Sequence, residues 1–191
     1  MKEQLEFIEK TYPLFKNGTS KREIRHNFFS EIKTELQAYL LGFIYSDGSI
    51  NDERHTLTIH INEKDKEIFN LFKVISPEAY VQDCKGYESK ATVDGRTVKN
   101  LGSTRLSISS KILLEDLHNL GVVENKTYKE LHIPKQIPNE LIKHFIRGYF
   151  DGDGCITYSI RKPNPKNREK NYRVTSNVNF TAKLCNIFID F

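Results

Sequence analysis

Two stretches of the chain repeat one pattern, in which a glycine is followed by four residues and then by an aspartate–glycine pair. The first copy runs from Gly42 to Gly48 and the second from Gly148 to Gly154. The residues leading into each copy have the spacing of a helix that is buried on one side or more. We therefore predict two helices that end next to the aspartates, with the following glycines turning the chain through a positive φ angle.

Small residues recur on one face of each predicted helix. Gly42 and Ser46 are four positions apart, as are Gly148 and Gly152. Residues at this spacing lie on the same helix face, and small side chains there let two helix backbones approach closely. If the two faces pack together, both helices end side by side and their aspartates meet.

Two adjacent carboxylates repel each other, and one of them takes up a proton unless a cation neutralises the pair. Carboxylate and backbone carbonyl oxygens suit a hard ion such as Mg²⁺, or Mn²⁺. We predict a metal site formed by Asp47 and Asp153 with the carbonyl groups of Gly48 and Gly154. The alternative is that both motifs are ordinary helix-ending turns, which leaves the shared glycine spacing unexplained.

Alternating and helical patterns predict an α+β fold around these two helices. Thr34 and Gln37 have the form of a capping box for the first helix, and Asn139 is the predicted cap of the second. Asp94-Gly95 is a predicted hairpin turn. Strands are predicted at 56–61, 78–84, 88–94, 104–109, 155–160 and 173–181, and further helices at 66–72, 110–121 and 183–191.

This order of elements predicts three parts: an N-terminal arm or linker (1–33), a first unit (34–133) and a second, similar unit (134–191). The second unit stops before its elements have repeated those of the first. We therefore expect a chain truncated in its second unit, the alternative being a unit that is shorter by nature.

Several classes of protein are excluded or disfavoured by composition. No apolar run is long enough to span a membrane, and the charged N-terminus has no secretion signal, so we expect an intracellular protein, cytoplasmic or organellar. Cys84, Cys155 and Cys185 are far apart in the sequence and are expected to be free thiols. The sequence has no phosphate-binding glycine loop, serine-hydrolase elbow or zinc motif.

Basic residues cluster in two of the strand regions. Such hairpins suit the DNA backbone and the edge of guanine, although without the two motifs a solvated loop is the better interpretation. The predicted DNA-binding residues are Lys85, Lys90, Arg96, Lys99, Arg105, Arg161, Lys162, Lys166, Arg168, Lys170 and Arg173.

At the two motifs, Leu40 to Gly48 and Ile146 to Gly154, the chain resembles the LAGLIDADG homing endonucleases in their single-chain form with two motifs. The first copy has Tyr45 where the family motif has its first acid, whereas the second copy keeps both acids, Asp151 and Asp153. The resemblance implies two αββαββα units related by a pseudo-twofold axis, with the motif helices at their interface.

The resemblance also implies a function. Each unit's antiparallel sheet would lie in the DNA major groove, and the last acid of each motif, Asp47 or Asp153, would bind the divalent metal that activates water for phosphodiester hydrolysis. Asp151 is then expected at the interface or in a capping role. A lysine usually follows the last strand of each unit, and Lys111 fits that place approximately. A full-length protein of this kind would act as a monomer on double-stranded DNA.

Three functions therefore stay open on the sequence. The leading hypothesis is a site-specific, Mg²⁺-dependent double-strand DNA endonuclease. The second is a non-catalytic nucleic-acid-binding protein of the same fold, such as an intron maturase or a transcription regulator. The third is an interaction protein that needs no metal and whose carboxylates belong to structural turns.

Overall fold

The computed structural model describes residues 2–16, 22–93, 96–100, 102–124, 132–154, 156–160 and 172–176. The helices are α1 (Lys2–Thr11), α2 (Glu35–Asp47), α3 (Phe69–Phe72, preceded by a 3-10 turn over Glu63–Ile68), α4 (Lys111–Asn119) and α5 (Asn139–Asp153). The strands are β1 (Phe15–Lys16), β2 (Glu23–Ile24), β3 (Gly48–Asn51), β4 (Thr56–Asn62), β5 (Tyr80–Cys84), β6 (Tyr87–Val93), β7 (Arg96–Asn100), β8 (Ser103–Ser109), β9 (Ile156–Ile160) and β10 (Tyr172–Ser176). The α+β class predicted from the sequence is confirmed.

Four of the strands form an antiparallel sheet in the order β3-β4-β8-β5. Strand β4 alternates as predicted, because Leu57, Ile59 and Ile61 are buried while the residues between them are more exposed. In β8, Leu106 and Ile108 are buried in the same way. The sheet therefore has one apolar face, which belongs to the core, and one polar face.

Two hairpins complete the described strands. Strands β6 and β7 pair with each other, as do β9 and β10. The predicted Asp94-Gly95 turn, the predicted helix at 183–191 and the end of the predicted strand at 173–181 lie outside the described residues.

Helix α2 is the centre of the core, with every residue from Gln37 to Ser46 buried. The predicted capping box is confirmed, since Thr34 Oγ1 accepts from the Gln37 N–H and the Gln37 side chain accepts from the Thr34 N–H. The Gln37 amide also donates to the carbonyl oxygens of Phe28 (2.6 Å) and Glu31 (3.0 Å). One side chain thus caps α2 and fixes the segment that leads into it.

The expectation of an N-terminal arm or linker over residues 1–33 is wrong for the part that the structure describes. Ile8 and Tyr12 of α1 are buried in the same core as α2, together with Phe28 and Phe29. Gln4 Oε1 also accepts from the Leu36 N–H at 3.2 Å. The apolar spacing in this segment is irregular because its buried residues come from a short helix and a turn.

The start of α5 also differs from the prediction. Pro138 occupies the N-cap position without a side-chain cap hydrogen bond, and Asn139 is the first helical residue. Proline supplies an extended backbone angle at this position, so the helix begins without a polar cap. The Leu141 N–H donates to the Pro138 carbonyl at 2.8 Å.

Candidate metal centre and nucleic-acid interface

The motif helices α2 and α5 lie in direct backbone contact. A Cβ atom added at Gly42 would overlap the carbonyl oxygen of Phe145, and one added at Gly148 would overlap that of Tyr39. The contact is reciprocal, because Tyr39 stands three residues before Gly42 and Phe145 stands three residues before Gly148. The small residues singled out by their spacing therefore lie at the helix contact, where no larger side chain has room.

The second pair of small residues determines where Asp47 lies. A Cβ atom placed on Gly152 would overlap the Ser46 hydroxyl and would lie 2.9 Å from Asp47 Oδ2. Since Asp153 follows Gly152 directly, the carboxylate of Asp47 lies against the last turn of α5, which carries Asp153. Both aspartates are half-buried. Burial and, secondarily, the charge of Asp153 raise the pKa of Tyr149 to about 12.

The glycines after the two aspartates do not have the predicted positive φ angles. Gly48 has φ −75° and Gly154 has φ −77°, both in the extended region. Glycine is needed here for space, since a Cβ atom at Gly48 would lie 2.6 Å from the Ile44 carbonyl oxygen and one at Gly154 would overlap that of Phe150. Each chain thus leaves its helix by passing close to the preceding turn.

Asp151 lies at the helix interface, where its Oδ2 accepts a hydrogen bond of 2.9 Å from the Tyr39 hydroxyl. The Arg147 guanidinium lies over the Tyr39 ring, 4.8 Å from its centroid. Burial and the hydrogen bond to Asp151 raise the pKa of Tyr39. At the corresponding place in the other half of the helix pair, Tyr45 and Phe145 pack edge to face at 5.1 Å. One polar and one aromatic contact therefore flank the two helices.

A cleft of about 560 Å³ opens beside this pair of helix ends. Asp47 and Asp151 line it from the helices, His60 and Asn62 from β4, and Lys64 from the 3-10 turn. Positive charge on Lys64 favours the ionised form of nearby carboxylates and attracts anions into the cleft. Sequence reasoning did not single out His60 or Lys64, although their place just after a motif and its first strand pair is a signal of nearness to Asp47.

Lys111 does not line this cleft. It is the first residue of α4, with its ammonium 3.8 Å from Glu115 and its side chain 68% exposed. In the sheet register Gly48 pairs with Ile59, which pairs with Leu106. Lys111 follows the far end of β8, about 10 Å or more along the strand from that level. The structure therefore removes the basis for Lys111 as a residue that assists the aspartates.

The polar face of the sheet forms a second feature. His60, Arg105 and Gln82 are direct neighbours across β4, β8 and β5, and Thr58 is opposite Ser107 in the next such row. Their side chains are exposed or half-buried. The sequence analysis named only Arg105 among them, whereas the alternation in β4 and β8 already marks the others as members of one face.

The other predicted DNA-binding residues are distributed as follows. Lys85 is exposed just after β5. Of the rest, Lys90, Arg96, Lys99 and Arg173 lie in strands β6, β7 and β10, and the side chains of these strands are not described, while Arg161, Lys162, Lys166, Arg168 and Lys170 lie outside the described residues.

The donor set at the helix ends is compatible with Mg²⁺. Within the described part of the chain, His, Cys, Asp and Glu side chains form no group of three or more that is arranged to hold a metal ion. Mg²⁺ is usually held by one or two carboxylates and keeps several of its waters. Asp47 and Asp153 supply that number, and the adjoining backbone turns supply carbonyl oxygens.

No known protein family matches the chain. It is similar to one A-type ATP synthase component from Pyrococcus abyssi (30% identity over 127 residues, 65% of this chain and 11% of that protein). It is also similar to a different A-type ATP synthase component from Methanopyrus kandleri (27% over 121 residues, 62% and 10%). The replication factor C small subunit from Methanocaldococcus jannaschii matches at 34% over 143 residues, 71% of this chain and 8% of that protein.

The chain thus spans about a tenth of the length of these relatives. The similarity concerns one segment of each and does not assign this chain to a family. None of the described helices has the length and apolarity needed to cross a lipid bilayer.

Proposed function

We propose that this protein is a site-specific endonuclease that hydrolyses phosphodiester bonds of double-stranded DNA with a divalent metal held by Asp47 and Asp153. The observation that carries the proposal is the backbone contact between α2 and α5, which places the Asp47 carboxylate against Gly152 and thus beside Asp153. Ordinary helix-ending turns need no such contact. A shared cation explains why two carboxylates are brought together.

In this proposal the chain's own residues position the metal and the DNA. Asp47 and Asp153 would hold Mg²⁺, which when bound polarises the phosphoryl oxygen and lowers the pKa of a bound water. Gly42 and Gly148 keep the two helix ends close enough for this. Lys64, which lines the same cleft, offers positive charge to a phosphate that enters it.

The polar sheet face is the proposed DNA-binding surface. Arg105, Gln82 and His60 form a row of long or ring side chains with hydrogen-bonding ends, and Arg and Gln are suited to the edges of guanine and adenine in the major groove. A strand in this groove can present alternate residues to the bases, as β8 presents Arg105 and Ser107.

A pseudo-twofold arrangement of two units is part of the proposal. The reciprocal contacts of Gly42 and Gly148 support it. So does the chain order, since β9 and β10 pair antiparallel soon after Gly154, as β3 and β4 do directly after Gly48. Each unit would then supply one aspartate and one sheet to the DNA.

The relatives support a separable module. Their names differ, being those of ATP synthase components and of a replication factor, yet each matches over about a tenth of its length. This chain has no phosphate-binding glycine loop through which it would resemble a nucleotide-binding protein. A segment carried inside longer proteins of different names is what an intein-borne endonuclease would give.

The test is cleavage of a duplex library with a randomised segment in the presence of Mg²⁺, followed by sequencing of the cut ends. The recovered site is then offered to Asp47→Asn and Asp153→Asn. We expect each variant to lose about 100-fold or more in cleavage rate, because an amide no longer neutralises the cation. DNA binding should persist in both variants, and chelation of the metal should stop cleavage by the wild-type chain.

Asp151→Asn is the matched control, because its carboxylate lies one residue from Gly152 but accepts from Tyr39. We expect it to cleave at a rate within about tenfold of wild type. Equal loss in all three variants would show that the region matters for folding only. Specific binding without cleavage by the wild-type chain would favour the non-catalytic nucleic-acid-binding protein.

A further inference from the structure

The described part of the N-terminal segment, residues 22–26, runs along the sheet next to β5. The Ser76 hydroxyl, just before β5, donates to the Glu23 carbonyl at 2.9 Å. His26 Nδ1 lies 2.6 Å from the hydroxyl of Ser110, the residue that caps α4 after β8. The segment is therefore fixed to both sides of the sheet edge and has a defined place relative to the polar face.

Arg22 begins this segment and lies over the ring of Tyr80, with its guanidinium carbon 5.3 Å from the ring centroid. Tyr80 is 45% exposed and is opposite Ser107 in the sheet register. A depression of about 180 Å³ lies between the segment and the sheet, and Arg22, Ser107 and Ser109 line it. The guanidinium therefore borders the polar face at the β5 side.

The chemistry of this depression suits a phosphate group. A guanidinium binds phosphate oxygens through its fork of N–H donors, and serine hydroxyls can donate beside it. The aromatic ring under Arg22 holds the guanidinium in one place. The surrounding sequence, residues 16–26, carries four basic residues and one acid, namely Lys16, Lys21, Arg22 and Arg25 against Glu23.

We propose that Arg22, held over Tyr80, contacts a backbone phosphate of DNA lying on the polar sheet face. The N-terminal segment then extends the DNA interface beyond the edge strand β5. This inference rests on the proposed function only in requiring that the sheet binds DNA, and it does not require cleavage. It assigns a binding role to a part of the chain that carries no motif.

The experiment measures the affinity of the full chain for a fluorescent duplex of about 30 base pairs of arbitrary sequence, at several salt concentrations. We expect Arg22→Gln to weaken binding by about threefold to tenfold and to reduce the slope of log affinity against log salt by about one. The loss should be the same for duplexes of different sequence, because a phosphate contact does not depend on the base.

Two further variants separate the stacking from the charge. Tyr80→Phe keeps the ring and should bind like wild type, whereas Tyr80→Ser removes it and should lose about twofold to fivefold in affinity. Lys10→Gln is the charge control, since Lys10 is exposed on α1, and α1 is attached to the first turn of α2 through Gln4. That turn is separated from Asp47 by the length of α2.

The outcomes are distinct. A wild-type chain that does not bind duplex DNA at low salt would overturn the proposed function and this inference together. DNA binding with the same salt slope in Arg22→Gln and wild type, or equal losses in Arg22→Gln and Lys10→Gln, would overturn the inference alone. Circular dichroism and melting temperatures equal to wild type would show that the Arg22 variant is folded.

Discussion

At the scale of single residues, the glycines of this chain have different physical roles. Gly121 follows α4 with φ +87°, a conformation that side chains strain, and the Tyr45 hydroxyl lies 2.6 Å from where its Cβ atom would be. Gly48 and Gly154 have ordinary φ angles and are needed only for space. Gly42 and Gly148 are needed because another helix backbone occupies the place of a side chain.

Asp116 on α4 is a residue whose charge opposes folding. Its Oδ2 is buried without a hydrogen-bond partner in the described part of the chain, and burial, with a smaller effect of Glu115, raises its pKa from 3.8 to about 6. Because the pKa is higher in the folded state, this group favours folding below about pH 4, and its contribution is lost as the pH rises through 6.

We therefore expect Asp116→Asn to be more stable than wild type at pH 7 by about 1 kcal/mol, a modest value because the carboxylate is partly exposed to water. The difference should shrink as the pH falls toward 4, where the wild-type carboxyl is neutral. Urea unfolding of both proteins from pH 4 to 8 measures it. A difference that does not change with pH would contradict the shifted pKa.

At the scale of elements, the pair α2–α5 connects local sequence to the site. Helix α2 is apolar around its whole circumference because it packs against the sheet, the N-terminal segment and α5. Helix α5 is amphipathic, with Leu141, Phe145 and Tyr149 on its buried side. A close crossing of the two is possible only where both surfaces consist of backbone.

We expect Gly148→Ala to destabilise the protein by about 3 kcal/mol, because the added methyl group overlaps the Tyr39 carbonyl and must push the helices apart. The melting temperature should fall by about 6–12 °C. Lys143→Ala, at an exposed position of the same helix, is the control and should change the stability by less than about 0.5 kcal/mol. Calorimetric melting of the three proteins checks this, and equal melting temperatures would contradict the backbone contact.

At the scale of the whole molecule, the N-terminal segment is part of the core. Ile8 is fully buried and Tyr12 is 5% exposed, with its ring centroid 6.0 Å from that of Phe28. The Tyr12 hydroxyl also donates to the Glu31 carbonyl at 3.2 Å. The segment therefore stabilises the approach to α2 from outside the two motifs.

Deletion of residues 2–13 should lower the free energy of unfolding by about 3–5 kcal/mol, because two large buried side chains are lost and Phe28 is exposed. Guanidinium unfolding, with a dye that binds exposed apolar surface, measures both effects. Ile8→Ala alone should account for about 2–4 kcal/mol. An unchanged unfolding midpoint in the deletion variant would restore the interpretation of this segment as an arm.

The sequence by itself determined the features that depend on neighbours along the chain. The capping box of Thr34 and Gln37, the alternation of β4 and β8 and the small-residue spacing of the motif helices all report local geometry, because a helix repeats every 3.6 residues and a strand every two. These patterns predicted the α+β class, most element positions and the helix contact. They did not predict the φ angles of Gly48 and Gly154, which depend on space rather than on conformation.

Only the tertiary structure decided which distant residues share the site. It brings His60 and Lys64 to the cleft beside Asp47 and leaves Lys111 beyond the far end of β8. It also places Arg22 over Tyr80, across 58 positions of sequence. No local pattern contains this information, because it depends on how the sheet is ordered and on which face of it each segment packs.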